Sequence, residues 1–181
     1  MNKYKIYESA LIAKSISLPM NLVGSNLMEI IRQEIANSVE AKCIVEGFVK
    51  PNSTKIISFS SGIVKADTVL FDIVFECQIF FPVEGMLLQC IAKNITKAGI
   101  KAESTDNNPS PFIVFVSRDH QNMDPEFLAI TENAVFTARV IGQRFELHDK
   151  YVSIIAELVP SKERFKQRPI KAGSAPKLVL N

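Results

Sequence analysis

The stretch that decides the fold is residues 69–103, VLFDIVFECQIFFPVEGMLLQCIAKNITKAGIKAE. Its first part has an apolar residue at every second position, with polar residues such as Asp72 and Glu76 between them. A period of two predicts a long strand with one buried and one exposed face. The alternation breaks at residues 82–85, Pro-Val-Glu-Gly, because proline lacks a ladder donor and glycine tolerates unusual backbone angles. We therefore predict a long strand that ends in a sharp corner.

The residues after this corner predict a small barrel. An apolar-rich segment, residues 86–95, is followed by a short turn at residues 96–99 and a further strand from Ile100. Strand, corner, strand, tight turn, strand is the way a small closed barrel begins. The remaining predicted strands are residues 112–116, 134–141 and 151–158. The total of roughly five strands is typical of an OB-type barrel, which we place at residues 83–160.

The first part of the chain, residues 1–82, predicts a helix packed on a sheet. Its helix follows Gly24, with Ser25 as the expected cap, and its apolar stripe is typical of plain core packing. That stripe consists of Leu27, Ile31, Ile35 and Val39, at intervals of four residues. Strands are expected at residues 4–18, 41–49 and 55–59, together with the long strand from Val69. We predict an α+β unit of one helix on a four- or five-stranded antiparallel sheet, followed by the all-β barrel.

Composition excludes several classes of protein. The chain has 181 residues, of which 47% are hydrophobic and 22% charged, as in an ordinary globular protein. No apolar run approaches the length needed to span a bilayer, and no secretory signal is expected at the N-terminus. Cys43, Cys77 and Cys90 are dispersed, which argues against a disulfide framework or a zinc site and favours a reducing compartment. The net charge of +2 does not by itself indicate nucleic-acid binding.

The sequence offers little support for catalysis. His120 and His148 are the only histidines, and neither has the spacing of a metal ligand. Glycine-rich phosphate loops and nucleophile motifs are also missing from the sequence. Asp119 and His120 could form an acid–base pair, but a loop histidine after a barrel strand is the favoured interpretation. We therefore expect a protein without catalytic residues, metal or cofactor.

RNA binding has better support. OB-type barrels hold single strands with a basic groove and with flat groups on which bases stack. The candidates on the predicted barrel are Lys93, Lys97, Lys101, Phe112, Phe115, Arg118, His120, Arg139 and Arg144. Arg118 and Arg144 are the strongest, because a guanidinium can pair with phosphate or stack on a base. The alternatives are that the two phenylalanines belong to the core and that the lysines are solvated strand ends.

Two further segments have alternative interpretations. Apolar residues next to a turn suggest a protein contact in the first unit, although they could equally cover the end of the sheet. These candidate docking residues are Phe59, Ser61, Gly62, Ile63 and Val64. Residues 161–181 form a basic tail that we expect to be flexible. The tail either holds a phosphate backbone or is a solvated linker, and both remain open.

An ordered set of short motifs carries a resemblance to a known family. They are residues 39–43 (VEAKC), 79–85 (IFFPVEG), 97–100 (KAGI) with Glu103, 115–118 (FVSR) and 140–144 (VIGQR). Their order and spacing over about residues 4–158 resemble the larger protein of the two-protein stalk of multi-subunit RNA polymerases, which is the seventh subunit of RNA polymerase II and has a counterpart in archaea. The chain departs from that pattern at residues 60–67, where a glycine-rich loop is reduced, and after Glu103, where a glycine is missing. These departures indicate a divergent member, such as a virus-encoded one.

The resemblance implies a noncatalytic role in transcription. A tip domain, residues 1–82, would dock on the polymerase core subunits, and a barrel, residues 83–160, would meet nascent single-stranded RNA. A smaller helical partner would lie along the seam between them, forming a heterodimer. The location would be nuclear for a cellular protein and cytoplasmic or in the virion for a viral one. Two other classes stay open: a free-standing OB-fold RNA-binding module, and a structural adaptor whose barrel no longer contacts RNA.

Overall fold

A computed structural model describes residues 6–118 and 125–159 of the chain, and the account below refers to these residues. The basic tail at residues 161–181 and His120 lie outside the described residues. Strands dominate the described structure, and they form one open sheet and one closed barrel. The predicted division between residues 82 and 83 falls in the connection between the last strand of the sheet and the first strand of the barrel.

The open sheet is built around one long central strand. Its elements are β1 (Glu8–Pro19), α1 (Leu27–Val39), β2 (Cys43–Ile44), β3 (Gly47–Val49), β4 (Lys55–Phe59), β5 (Ile63–Lys65) and β6 (Thr68–Phe80). Strand β6 pairs with β1 along one edge and with β3, β4 and β5 along the other, and β2 pairs with β3. All of these pairs are antiparallel. The sheet therefore has six strands, where the sequence predicted four or five.

The alternation read from the sequence sets the buried face of β6. Phe71, Ile73 and Phe75 are buried, and the residues between them are exposed or half-buried. They share one hydrophobic cluster with Ile31 and Ile35 of α1. Because side chains alternate along a strand, one face of β6 supplies this cluster and the other remains exposed or half-buried.

Two local predictions were wrong in detail, and one short helix was not predicted. Helix α1 has Asn26 rather than Ser25 at its N-cap, and no side chain caps its first turn. Residues 41–49 form two short strands rather than one, and Gly47 begins the second with a φ of 131°. A Cβ on Gly47 would lie 2.5 Å from the carbonyl oxygen of Phe80, so glycine is required there. Residues 125–128 form a short helix that the sequence analysis did not predict.

The barrel closes through five strands and contains one short helix. Its elements are β7 (Leu87–Ile95), β8 (Gly99–Ser104), β9 (Phe112–Ser117), α2 (Pro125–Leu128), β10 (Val135–Arg144) and β11 (Val152–Leu158). The strand order around the barrel is β10, β11, β9, β8, β7, and β7 pairs back with β10. Strands β9 and β11 run parallel, whereas the other neighbours are antiparallel. The predicted five-stranded barrel is thus confirmed.

Residues of the sheet contribute to the core of the barrel. Tyr7, Cys43, Phe48 and Phe80 belong to the same buried cluster as the inward-facing barrel residues. The Phe80 ring lies 5.2 Å from that of Phe112 of β9 and 6.3 Å from that of Tyr7, measured between ring centroids. Such aromatic contacts add to the free energy gained by burial of the rings. The two parts of the chain are therefore joined through hydrophobic packing.

Backbone hydrogen bonds also cross between the sheet and the barrel. The amide of Cys43 donates to the carbonyl of Asp149 at 2.8 Å, and the amide of His148 donates to the carbonyl of Cys43 at 2.8 Å. His148 has a φ of 69° in this connection between β10 and β11. Hairpin β2–β3 therefore holds the β10–β11 loop of the barrel in place.

The three cysteines are free and buried. Burial raises the pKa of the Cys90 thiol to about 12. Burial, with a smaller effect of the Asp149 carboxylate, raises the pKa of Cys43 to about 11, and burial with nearby glutamates does the same for Cys77. A thiol with a raised pKa carries little thiolate near neutral pH, so these residues behave as small apolar core residues.

Candidate nucleic-acid interface

A cleft lies on the outer surface of the barrel, across strands β8, β9 and β11. Lys101 of β8 is opposite Phe115 of β9, and Phe115 is opposite Ile155 of β11. All three side chains are exposed, with 38% of Phe115 and 54% of Ile155 accessible to solvent. Residues directly opposite on neighbouring strands project to the same face of a sheet. The row therefore places an ammonium group, an aromatic ring and an aliphatic side chain side by side.

A second row completes the cleft. Ile113 of β9 is opposite Ser153 of β11, and Ser153 is opposite Arg144 of β10. The cleft has a volume of about 540 Å³ and is lined by both rows together with Gly142 and Gln143. The guanidinium of Arg144 pairs with the Glu146 carboxylate at 3.1 Å, and both side chains are largely exposed. An exposed pair of this kind contributes little to stability, so the guanidinium can exchange its partner.

Gly99 provides the space that the Phe115 ring occupies. A Cβ on Gly99 would lie 2.9 Å from Cζ of Phe115 and 2.2 Å from the carbonyl oxygen of Val116. Both distances are far below an ordinary van der Waals contact, so only glycine fits. The ring is therefore held against the backbone of β8 while a good part of it remains exposed.

The cleft has the chemistry of a weak single-strand binding site. A base can stack on the exposed ring of Phe115, since every base has a flat face. Lys101 and Arg144 lie at the cleft and can each contact a phosphate. Few side chains of the cleft can read base edges through hydrogen bonds. Among the described residues that line it, Gln143 supplies the one amide and Ser153 the one hydroxyl. The arrangement favours binding through stacking and charge rather than through sequence.

The other predicted RNA-binding residues do not line this cleft. Lys93 and Lys97 are exposed on β7 and on the β7–β8 turn. Arg118 lies beside that turn, where its guanidinium donates to the carbonyl of Thr96 at 3.4 Å and its carbon Cζ lies 6.0 Å from the centre of the Phe127 ring. Arg139 pairs with Glu157 at 2.9 Å. Of the predicted cations that the structure describes, Lys101 and Arg144 are the two that the fold brings together at the cleft.

Phe112 belongs to the core rather than to the interface. Its side chain is 1% exposed and contacts Phe80, so no base can reach it in this structure. The sequence analysis missed Ile113, Gln143, Ser153 and Ile155, all of which line the cleft. The alternation of β11 could have assigned Ile155 to the outer face, because Ile154 and Ala156 are buried. Its place next to Phe115 depends on the pairing of β9 with β11, which is a non-local contact.

The candidate docking residues lie at one end of the open sheet. Ile63 and Val64 are in β5, opposite Leu70 and Val69, and their side chains are 56% and 64% exposed. Phe59 ends β4 and contacts Phe71 edge-to-face at 6.4 Å. The intervening Ser61 is exposed, and Gly62 has a φ of 85° and lies under Phe71 and Val69. The exposed apolar residues Phe59, Ile63 and Val64 therefore lie on the two short strands that flank residues 60–62, as the sequence suggested.

A groove of about 610 Å³ lies where the sheet meets the barrel. Its apolar lining includes Ile79, Phe81 and Val83, of which Phe81 is 46% and Val83 55% exposed. Three carboxylate side chains, Glu8, Glu46 and Glu84, also line it. We call this the seam groove. Its combination of exposed apolar and acidic groups suits contact with a protein surface of positive charge.

The described residues contain neither a candidate metal site nor a candidate membrane-spanning helix. In residues 6–118 and 125–159, no group of three or more histidine, cysteine, aspartate or glutamate side chains is placed to hold a metal ion. The same part of the chain contains no helix that is long and apolar enough to span a membrane.

Comparison with known proteins supports the resemblance read from the motifs. The chain is 28% identical over 121 residues to DNA-directed RNA polymerase II subunit 7 of Arabidopsis thaliana. It is also 26% identical over 172 residues to a protein of Acanthamoeba polyphaga mimivirus that is named as a DNA-directed RNA polymerase subunit. The chain is thus similar, at 28% and 26% identity, to proteins that are named as RNA polymerase subunits.

The extent of the two matches differs. The match to the Arabidopsis polymerase subunit covers 65% of this chain and 65% of that protein, slightly less than two thirds of its length. The match to the viral polymerase subunit covers 84% of this chain and 81% of that protein. No family model matches the chain. The second match includes most of the residues that form the sheet and the barrel.

Proposed function

We propose that this protein is a noncatalytic stalk subunit of a DNA-directed RNA polymerase, which docks on the core enzyme through its open sheet and contacts nascent RNA through its barrel. The observation that carries the RNA contact is the convergence of Lys101, Phe115 and Arg144 on one cleft. The similarity to two polymerase subunits supports the assignment to transcription. The work of such a stalk protein is positioning and weak capture, which needs no cofactor.

The topology of the barrel supports an OB-type fold. An OB-fold is a five-stranded Greek-key barrel that binds single-stranded nucleic acid across its second and third strands and the adjoining loops. Here β8 and β9 hold these positions, and the cleft crosses them. The β10–β11 loop lies beside the cleft through Arg144 and Glu146, and β2 holds it in place. This position of the cleft supports the proposal, because an OB-type barrel binds its ligand there.

The smaller helical partner predicted from the resemblance would occupy the seam groove. Exposed phenylalanine and valine side chains there offer apolar contacts, and the three carboxylates offer partners for lysine or arginine. A nuclear location for a cellular protein, or a cytoplasmic or virion location for a viral one, follows from the same proposal.

Affinity purification tests the polymerase assignment. The tagged full-length chain should recover the large polymerase subunits and one small protein from its native lysate, as identified by mass spectrometry. Ile63→Asp combined with Val64→Asp should reduce recovery of the large subunits at least about tenfold, because two buried charges in an interface cost several kcal/mol. Met28→Glu, at a 56% exposed position of α1, serves as the control and should leave recovery unchanged.

Other results of that purification would change the assignment. Recovery of RNA or ribosomal proteins without polymerase would replace the proposal with a free-standing OB-fold RNA-binding module. Recovery of the large subunits by the double variant at the level of the parent chain would show that the β5 surface is not the docking site.

The RNA cleft gives a second prediction. Lys101→Ala and Arg144→Ala should each weaken binding of a single-stranded RNA oligonucleotide about three- to tenfold, and each should reduce the dependence of log Kd on log salt by about 0.7, because one phosphate contact is lost. Phe115→Ala should weaken binding by about fivefold or more without changing that slope, since stacking of one base contributes about 1–3 kcal/mol.

Fluorescence anisotropy over a series of salt concentrations measures both quantities. Lys65→Ala, at an exposed position of β5 in the open sheet, is the matched control and should leave affinity and slope unchanged. If the parent chain shows no salt-sensitive binding, the barrel acts as a structural adaptor and the RNA part of the proposal is wrong.

A further inference from the structure

Among the described residues, no strand lies beside one edge of β1. Within residues 6–118 and 125–159, β1 pairs with β6 alone, over all twelve of its residues and without a shift in register. The other edge of the sheet is occupied by β3, β4 and β5. An open edge of this length presents a row of unpaired backbone donors and acceptors.

The hydrogen bonds of β6 identify the groups that face this edge. The carbonyl of Asp72 accepts from the amide of Ser60, and that of Gln78 accepts from the amide of Lys50, each at 2.9 Å. In an antiparallel strand the amide and carbonyl of one residue face the same neighbour, and successive residues alternate. Even-numbered residues of β6 therefore face β3–β5, and odd-numbered residues face β1.

The register between β1 and β6 then assigns the residues of β1. Lys14 is opposite Ile73 and Ile12 is opposite Phe75, so even-numbered residues of β1 bond to β6. The odd-numbered residues direct both backbone groups to the open edge. They are Ser9, Leu11, Ala13, Ser15 and Ser17, and all five are exposed.

This edge lacks the features that usually block strand addition. Proteins protect exposed edges with bulges, prolines or charged side chains. Strand β1 has no bulge, and its proline, Pro19, is the last residue. Its single charge beyond Glu8 is Lys14, whose ammonium donates to the Ser38 hydroxyl at 3.1 Å and so points towards α1. The edge is therefore open to a further strand.

Apolar side chains flank the edge on both faces. On the helix side, Ala10 and Ile12 are half-buried, as are Leu27 and Ile30 of α1, which pack on the margin of the sheet core. On the opposite face, Leu11 is 70% exposed. A strand added beside β1 would cover both groups if it carried apolar side chains at alternate positions.

The start of β1 also lines the seam groove. Glu8, Ser9 and Ala10 belong to that groove, together with the Glu46 and Glu84 carboxylates, and none of the described residues that line it is a lysine or arginine. A segment leaving the edge of β1 at this end would enter an acidic groove. Complementary charge favours lysine or arginine at that end of the segment.

We propose that the open edge of β1 binds an extended segment of another polypeptide, which adds a strand to the sheet. The segment has an apolar residue at every second position and basic residues at the end that reaches the seam groove. Main-chain hydrogen bonds to the odd-numbered residues supply affinity, and the apolar and acidic contacts supply selectivity. The inference rests on the proposed function only for the identity of that polypeptide, which would be the stalk partner.

Amide hydrogen exchange of the full-length, ¹⁵N-labelled chain tests this inference. The probe is a synthetic peptide of alternating valine and threonine that ends in Lys-Lys-Arg. It should slow exchange of the Leu11, Ala13 and Ser15 amides by about tenfold or more, while the already bonded Ile12 and Lys14 amides change little. A peptide with the same strand but ending in Asp-Asp-Glu should give weaker protection, because the groove is acidic.

Two variants separate edge pairing from other effects. Ala13→Pro removes an outward-facing donor and leaves the bonds to β6 in place, and proline is tolerated on an edge of this kind. It should abolish protection by the peptide. Leu11→Lys keeps the backbone and should weaken peptide binding several-fold through repulsion of the basic end and loss of an apolar contact. Ile57→Lys, at a 52% exposed position in β4, is its control and should bind the peptide like the parent chain.

Three outcomes would overturn the inference. In the first, the peptide does not slow hydrogen exchange of the odd-numbered β1 amides. Another is protection that rises with the concentration of the chain alone, which would make a second copy the occupant. In the third, the odd-numbered β1 amides remain unprotected from exchange in a polymerase complex purified with this chain. The proposed function would then stand, and this inference would fail. Conversely, protection by the peptide in a chain that recovers no polymerase would leave the inference standing without the proposed function.

Discussion

The variant Gly99→Ala is expected to lower the free energy of unfolding by about 2–3 kcal/mol, as overpacking of a well-filled site does. The added Cβ would lie 2.2 Å from the backbone carbonyl oxygen of Val116, which cannot move without disturbing the β8–β9 ladder. It would also press on the Phe115 ring at 2.9 Å. Urea denaturation followed by far-ultraviolet circular dichroism measures the change, since the chain contains no tryptophan.

Gly142→Ala is the matched control for this variant. Gly142 is also a barrel glycine, but a Cβ there would have no atom within 4 Å and its φ is not in the left-handed region. Its substitution should change the unfolding free energy by no more than about 0.5 kcal/mol. Equal losses for the two variants would show that the close approach of Gly99 to β9 is not what requires glycine. The displaced Phe115 ring should also weaken RNA binding by Gly99→Ala, which anisotropy would detect.

The variant Phe80→Ala is expected to cost about 3–5 kcal/mol of stability, the range for removal of a buried phenylalanine side chain. Phe80 is fully buried at the end of β6 and contacts both Tyr7 and Phe112. Its removal leaves a cavity at the point where the sheet and the barrel share one core. We expect a lower urea midpoint and a lower melting temperature.

The neighbouring residue provides the control. Phe81→Ala removes the same number of atoms one position along the chain, where the ring is 46% exposed and contacts Phe145 at 6.2 Å. It should cost about 1 kcal/mol, because much of that ring already faces water. If Phe81→Ala were as destabilising as Phe80→Ala, the shared core would not be centred on Phe80. A loss of only about 1 kcal/mol for Phe80→Ala would lead to the same conclusion.

Local patterns predicted the individual elements well. The alternation from Val69 onward predicted β6 almost to its ends, and the four-residue spacing of Leu27, Ile31 and Ile35 predicted α1. The turn at residues 96–99 was also correct, since the Thr96 amide donates to the carbonyl of Gly99. These features depend on the geometry of a few consecutive residues, which sequence periodicity reports directly.

The candidate site was predicted only as a set of residue types. Lys101, Phe115 and Arg144 were named among nine candidates, and nothing in their spacing separated them from Arg118 or Arg139. Phe112 and Phe115 were equivalent in the sequence analysis, although an interval of three residues puts them on opposite faces of β9. Which face is buried follows from the closure of the barrel, and that placed Phe112 inside and Phe115 outside.

By itself, the sequence determined most of the strands, helix α1, the corner after Phe81 and the resemblance to polymerase subunits, because each depends on consecutive residues or on their order. Only the tertiary structure decided that β11 lies between β9 and β10, which brings Ile155 beside Phe115 and completes the cleft. It also decided that Phe80 packs in the barrel and that, within the part of the chain that the structure describes, one edge of β1 has no neighbouring strand. Strand order and register are contacts between distant residues, and the period of a single strand is the same whichever neighbour it has.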